Sequence, residues 1–130
     1  MINCDFKLPM FIAYGYVDER LFLFGGKDTK TKKILNTTYE LIQTEVDYYV
    51  LRKRNSMFKS RTRCSTVSFT EKVGPFSDFI VIIGGSDEYK AFGLCELYDA
   101  KNDQFYSFPS LNINRENSSV CKVLTQNGET

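Results

Sequence analysis

The chain contains two runs of large apolar residues that each end in a glycine pair. They are residues 21–26 (Leu-Phe-Leu-Phe-Gly-Gly) and 80–85 (Ile-Val-Ile-Ile-Gly-Gly). A second apolar stretch precedes each run, at residues 11–17 and 64–69, and a third such stretch lies at residues 119–124. The same order of features occurring twice indicates a repeated supersecondary unit, followed by the start of a third copy.

Both runs lack polar positions, as is typical of a strand with protein packed on each face of its sheet. The other stretches alternate more, so we expect those strands to lie nearer the outside. Turn signals at residues 18–19, 74–75 and 101–103 separate the stretches. The further predicted strands are Arg20–Phe24, 37–44, 48–51, 78–83, 94–99 and Gln104–Phe108.

A competing interpretation places helices between short parallel strands. Four residues fall at helical spacing: Tyr39, Ile42, Val46 and Tyr49. Residues 80–85, followed by a helix, could then open a nucleotide-binding βαβ unit. Against this, the glycine fingerprint lacks its later glycine, and Gly93 interrupts the second helix. Residues 37–44 and 48–51 are also rich in β-branched and aromatic side chains, which favours strands. We therefore predict an all-β fold and keep the α/β unit as the alternative.

Composition narrows the chemistry that the chain can carry. Its 130 residues are 42% hydrophobic and 25% charged, which is typical of one globular core. The absence of histidine removes the commonest general base and the commonest metal-binding imidazole. The cysteines are widely spaced and are expected to act as small buried hydrophobic residues: Cys4, Cys64, Cys95 and Cys121. We expect no catalytic residue, no metal site and no cofactor. Free thiols without an export signal predict a cytoplasmic location.

The order of features resembles the kelch repeat, which has four apolar residues, a glycine pair, a tyrosine, a second aromatic residue and a link containing proline or arginine. The residues that match its structural motif are Gly25, Gly26, Tyr39, Tyr49, Gly84, Gly85, Tyr98 and Tyr106. In the links, Arg61 or Arg63 matches in the first repeat, and Pro109 and Arg115 match in the second. Kelch repeats usually have tryptophan where Tyr49 and Tyr106 stand, and the first link is longer and basic, so the chain is a divergent member by this resemblance.

The resemblance implies about two four-stranded antiparallel blades of an incomplete kelch-type β-propeller, plus the start of a third. Residues 1–10 would form an N-terminal lead-in, 11–63 the first repeat, 64–118 the second, and 119–130 the first strand of a following repeat and a tail. Propellers close with four to eight blades, and a kelch repeat takes about 50 residues. We therefore expect either a fragment of a larger propeller or self-association through exposed blade faces.

By the same resemblance, the chain is a non-catalytic protein–protein interaction module that binds through its inter-strand loops. The candidate partner contacts are Arg61, Arg63, Arg115, Lys27, Thr37 and Ser86. An arginine in such a link is more often a solvated charge or a hydrogen-bond donor to loop carbonyls. Residues 52–63 carry six positive charges and no acid, which suits a carboxylate-rich or phosphate-rich partner, and in particular an acidic protein segment. Nucleic acid is disfavoured because Phe58 is the only aromatic residue in this run, and no membrane partner is expected. The alternatives are a sugar-acting kelch-like enzyme and a structural repeat that assembles through its blade faces.

Overall fold

The computed structural model describes residues 3–4, 7–72, 74–91 and 93–108, and all the regular elements in these ranges are β-strands. The strands are β1 (Asn3–Cys4), β2 (Ala13–Val17), β3 (Arg20–Phe24), β4 (Thr38–Glu45), β5 (Tyr48–Arg54), β6 (Ser65–Phe69), β7 (Phe79–Ile83), β8 (Cys95–Asp99) and β9 (Gln104–Phe108). The all-β prediction is confirmed for this part of the chain. The α/β alternative is wrong, because Tyr39 and Tyr49 lie in paired strands and not on a helix.

The strands form two sheets. Strands β2 to β5 make one antiparallel meander and β6 to β9 make another, so the two predicted four-stranded sheets are confirmed. The short strand β1 comes from the predicted lead-in and pairs in parallel with β5, where Asn3 lies opposite Tyr48. The turn between β2 and β3 consists of Asp18 and Glu19, with φ angles of 54° and 56°. Positive φ at both positions is the geometry of a two-residue hairpin turn, in agreement with the turn predicted there.

The two sheets pack face to face over an apolar core. Phe22 and Phe24 of β3 and Ile80 and Ile82 of β7 are completely buried in this core. Tyr98 of β8 lies between the two phenylalanines, and its ring centre is 5.1 Å from that of Phe22 and 5.7 Å from that of Phe24. Edge-to-face aromatic contacts of this kind add about 0.5–1.5 kcal/mol each beyond the area that they bury. The core therefore fixes how the loops of one sheet lie against those of the other.

The apolar strands β3 and β7 are the second strands of their sheets, and the edge strands β2 and β6 lie next to each other. The hydroxyl of Thr66 in β6 donates a hydrogen bond to the carbonyl of Tyr14 in β2. β2 and β6 are thus edge strands that adjoin each other where the two sheets meet, and Tyr14 and Tyr16 of β2 are exposed. A meander flanks its second strand on both sides, so β3 and β7 are enclosed by neighbouring strands as well as by packing on their faces.

Tyr39 and Tyr98 stand at the same distance after their glycine pairs, but they do not occupy equivalent positions. Tyr39 lies opposite Leu23, whereas Tyr98 lies opposite Ile80. Leu23 and Ile82 each stand two residues before their glycine pair, and the residue paired with Ile82 is Glu96. Glu96 is therefore the counterpart of Tyr39, because β8 begins sooner after its glycine pair than β4 does. Tyr98 thus packs between the sheets, while Tyr39 and Leu23 share the face of the first sheet that points away from the second.

The opposite face of the second sheet has its own apolar cluster. It consists of Phe69, Phe79, Val81, Ile83, Cys95 and Leu97, with Val67 and Phe76 packed against it. Cys95 is buried and Cys64 is half-buried, and both are free thiols. In the ranges described, no helix is long and apolar enough to cross a membrane. The predicted third stretch at residues 119–124, together with Pro109 and Cys121, lies outside the described residues.

Candidate functional site

Two glycine doublets end β3 and β7 and determine the shape of the loops at one end of both sheets. Gly25 and Gly26 have φ angles of 60° and 99°, and Gly84 and Gly85 have φ angles of 65° and 98°. A Cβ atom on Gly25 would lie 2.3 Å from the carbonyl oxygen of Arg61. Glycine is required because the backbone is left-handed and another backbone segment fills the space beside it. We call this end of the two sheets the doublet end.

The residue after each doublet is tied to the segment that precedes the first strand of its sheet. Lys27 and Met10 exchange two backbone hydrogen bonds of 2.8 Å. Ser86 and Thr62 do the same in the second sheet, at 2.9 and 3.0 Å. The two loops are therefore built alike, and Lys27 and Ser86 occupy equivalent positions in them.

An aspartate follows one residue later in both loops and stabilises the next turn. Asp28 accepts a hydrogen bond of 2.8 Å from the hydroxyl of Thr31. Asp87 accepts hydrogen bonds from the backbone N–H groups of Tyr89 and Lys90, at 2.8 and 3.0 Å. These bonds hold the pKa of each carboxyl below its ordinary value, because they favour the carboxylate. Neither residue was predicted from the sequence, although the repeated order Gly-Gly-x-Asp was the available signal.

The loops of the two sheets enclose a groove of about 210 Å³ at the doublet end. Its walls are formed by Phe11, Lys27, Ile34, Thr62, Arg63, Ser86, Asp87 and Glu88. Three of the predicted partner contacts, Lys27, Arg63 and Ser86, therefore meet at one site. Lys27 belongs to the first glycine loop and Ser86 to the second, so the packing of the sheets brings them together. We call this site the inter-sheet groove.

Arg63 stacks on an aromatic residue in the wall of the groove. Its guanidinium carbon lies 3.9 Å from the centre of the Phe11 ring. The two residues hold similar places in the two sheets, since each has a left-handed backbone shortly before the first strand, with φ of 57° and 54°. The N–H of Arg63 also donates to the carbonyl of Phe11 at 3.3 Å. The cation–π contact holds one positive charge at the groove and leaves Phe11 51% exposed.

A second hollow, of about 300 Å³, adjoins the inter-sheet groove. It is lined by Lys33, Ile34, Asp87, Glu88 and Tyr89. Ile34, Asp87 and Glu88 line both hollows, so the two form one continuous surface. Tyr89, which lines only the second hollow, is 90% exposed. The surface therefore combines charges of both signs with aromatic rings that are accessible to a partner.

Arg61 lies below this surface and is completely buried. Its Nη1 donates to the carbonyls of Gly84 and Leu94 at 2.9 and 2.7 Å. Its Nη2 lies 2.7 Å from Oε2 of Glu96, whose Oε1 accepts the N–H of Phe58 at 2.7 Å. A buried guanidinium with these partners is not accessible to a bound protein. Of the roles considered for a link arginine, namely partner contact, solvated charge and donor to loop carbonyls, the structure gives Arg61 the last.

The remaining predicted contacts do not line the groove. Thr37 is half-buried at the doublet end, and its carbonyl accepts the N–H of Gly25 at 2.8 Å. Arg115 lies outside the described residues. The predicted contacts at the groove are thus the half-buried Lys27 and Arg63, together with Ser86, which is only 7% exposed. The structure adds the acidic residues that follow Ser86.

The basic run at residues 52–63 does not form a single patch of uncompensated charge. Arg54 pairs with Glu40, which also pairs with Arg20, and Arg61 pairs with Glu96, so two of its charges are held in ion pairs within the fold. Arg63 is separated from the rest and lies in the groove. Positive charge at the doublet end is therefore local, and it stands beside acidic groups.

The walls of the groove present carboxylates, an ammonium, a guanidinium and two apolar side chains. Groups of these kinds are able to make ion pairs, hydrogen bonds and apolar contacts. Within the described part of the chain, no three histidine, cysteine, aspartate or glutamate side chains lie close enough together to hold a metal ion.

Comparisons with known proteins show a likeness of fold. No protein-family model and no curated protein sequence matches the chain. Among the solved structures that match is a fungal alcohol oxidase of the AA5 family, in complex with copper. It shares 15% sequence identity over 82% of this chain, with a TM-score of 0.68. The chain spans 23% of the length of that oxidase chain. At this identity the likeness concerns the arrangement of the two sheets alone.

Proposed function

We propose that the chain is a non-catalytic protein-binding module built from kelch-type propeller blades, and that it holds its partner at the doublet end. The observation that carries the proposal is the inter-sheet groove, where Lys27, Arg63 and Ser86 from separate loops line one site. Binding residues are commonly placed on loops that a rigid scaffold positions. Here the scaffold is the packed pair of sheets, and the equivalent loops following the two doublets supply the contacts.

The way in which the sheets pack supports a propeller-like order. Phe22 and Phe24 of β3 face the second sheet. Counted back from the glycine pairs, their counterparts in β7 are Val81 and Ile83, which face away from the first sheet. The two sheets therefore meet through non-equivalent faces. Packing of this head-to-tail kind continues from one blade to the next and closes when the rotation completes a ring.

Labelled peptides would test the proposal. We would add short fluorescein-labelled peptides rich in glutamate, rich in lysine, or mixed, and record amide chemical shifts and fluorescence polarisation. Shifts should concentrate at the doublet end, around Lys27, Arg63 and Ser86, and should spare the hairpin at Asp18. Arg63→Glu should weaken binding of a glutamate-containing peptide by roughly tenfold, because it reverses a charge in the groove wall.

Lys101→Glu is the matched control, because Lys101 is exposed at the β8–β9 hairpin, at the opposite end of the second sheet. Its binding curves should overlay those of the wild type. If none of the peptides shifts residues at the doublet end, or if both substitutions weaken binding equally, the proposal fails.

A further inference from the structure

Charge alternates along the surface formed by the inter-sheet groove and the adjoining hollow. Lys27 and Arg63 line only the groove, whereas Lys33 lines only the hollow. Asp87 and Glu88 line both, so they lie between the two positive regions. The order along the surface is positive, negative, positive.

This order disfavours a partner segment that is acidic throughout. Such a segment would place carboxylates beside Asp87 and Glu88, and like charges facing each other across an interface are strongly unfavourable. Asp87 is held as a carboxylate by the N–H groups of Tyr89 and Lys90. Protonation of Asp87 would weaken these two bonds, so the carboxylate form is favoured.

We propose that this surface binds an extended protein segment in which an acidic residue, a basic residue and a second acidic residue follow in that order. The inference rests on the proposed function and refines the acidic partner that the basic run suggested. The first acidic group pairs with Lys27 and Arg63, the basic group with Asp87 and Glu88, and the second acidic group with Lys33.

Two features favour an ordered fit over a diffuse attraction. Arg63 is already stacked on Phe11 at 3.9 Å, so its side chain loses less freedom when it binds. Ile34 lines both hollows, and Tyr89 is largely exposed in the second hollow. The methylene groups of the charged side chains in a bound segment can therefore pack against these two residues. Together these contacts specify the position of the segment as well as its charge.

The test compares two labelled peptides of identical composition with a third that is acidic at every charged position. One has the order glutamate, lysine, glutamate, with serine and glycine between the charges, and the second has the order glutamate, glutamate, lysine with the same spacers. A third peptide carries glutamate at all three positions. Affinity would be measured by fluorescence polarisation at low salt, and the site would be located by amide chemical shifts. We expect the alternating peptide to bind about tenfold more tightly than either of the others.

Glu88→Lys supplies a second measurement in which the expected order is reversed. Glu88 is exposed, so the substitution leaves the fold intact, and the new lysine offsets the charge of Asp87, so that the centre of the surface is no longer negative. The variant should bind the alternating peptide more weakly and the all-glutamate peptide more tightly than the wild type does. Glu45→Lys makes the same charge change at the exposed far end of β4 and should leave the ranking unchanged.

The outcomes separate this inference from the proposed function. Equal affinity for the alternating and block orders, with shifts at the doublet end, would overturn the charge-order proposal and leave the binding module in place. The same holds if Glu88→Lys leaves the ranking as it was. If none of the peptides perturbs the doublet end, both proposals are overturned.

Discussion

Arg61 and Glu96 form an ion pair that is almost completely removed from solvent, with Nη2 and Oε2 2.7 Å apart and the two side chains 0% and 1% exposed. The pair joins the link before β6 to strand β8. Nη1 of Arg61 donates to the carbonyls of Gly84 and Leu94, and the carboxylate of Glu96 accepts the N–H groups of Phe58 and Lys59. Removing one partner leaves the other charge buried, which is far more costly than losing a surface ion pair.

Arg61→Met is therefore expected to lower the free energy of unfolding by about 3–5 kcal/mol. Urea denaturation followed by circular dichroism would measure it. Arg63→Met is the matched control, because Arg63 is half-buried and its cation–π contact is worth only about 0.5–1 kcal/mol. Similar losses in the two variants would contradict the role given to Arg61.

Gly25→Ala should be strongly destabilising for two separate reasons. The left-handed backbone at φ 60° costs about 1–2 kcal/mol for a residue with a Cβ atom, and that atom would also collide with the carbonyl of Arg61. Gly74 has a nearly identical φ of 59° but nothing within 4 Å of its Cβ position. Gly74→Ala should thus show the backbone term alone, so the difference between the two unfolding free energies measures the collision. A difference near zero would show that the loop shifts to accommodate the added methyl group at no cost in stability.

Stability should fall in acid through Glu40. The hydrogen bonds from Arg20, and then from Arg54, hold the pKa of this carboxyl below its ordinary value of 4.5. The unfolded chain therefore binds the proton more readily than the folded one. The stabilisation is fully present above about pH 4.5 and is lost as the pH falls through the lower folded value.

The urea midpoint of the wild type, measured between pH 7 and pH 3, should decline in the acid range, and Glu40→Gln should show a shallower decline from a lower starting point. Glu45→Gln removes an exposed carboxyl from the same strand and should retain the decline of the wild type. If the curve of Glu40→Gln is as steep as that of the wild type, Glu40 is not the group responsible.

The thiol of Cys64 should react slowly in the folded protein. Burial raises its pKa to about 11, so at pH 8 only roughly one molecule in a thousand carries the reactive thiolate. Alkylation by iodoacetamide at pH 8 should be more than about 100-fold slower in the native state than in urea. Mass spectrometry of the tryptic peptide covering residues 64–72 isolates this thiol from the other cysteines. Equal rates in the two states would contradict the burial.

The sequence was most informative where turn chemistry bounds an apolar or alternating segment. Arg20–Phe24 and Gln104–Phe108 have the predicted bounds, because charged and turn-forming residues stand at their ends. The position of Tyr39 relative to Tyr98 could not be obtained in this way. Distance along the chain counts loop residues as well as strand residues, and the loop before β4 is longer than the loop before β8.

The candidate site was only partly accessible to sequence reasoning. The link offered Arg61 and Arg63 as alternatives that composition could not separate. Burial separates them, since Arg61 lies beneath the loops and Arg63 opens onto the groove. Asp87 and Glu88 were not predicted as site residues because the lysine and arginine residues that line the surface with them are distant in the sequence.

The sequence by itself determined the two repeats, their strands and the glycine doublets, because apolar patterning, turn residues and the requirement for positive φ act within a few residues. Only the tertiary structure decided which charges face a partner. That outcome depends on how the two sheets pack, and the packing joins the loop carrying Lys27 to the loop carrying Ser86 and Glu88 across one groove. Local sequence patterns do not show that these two loops lie side by side, because the contacts that place them together form only when the core between the sheets has formed.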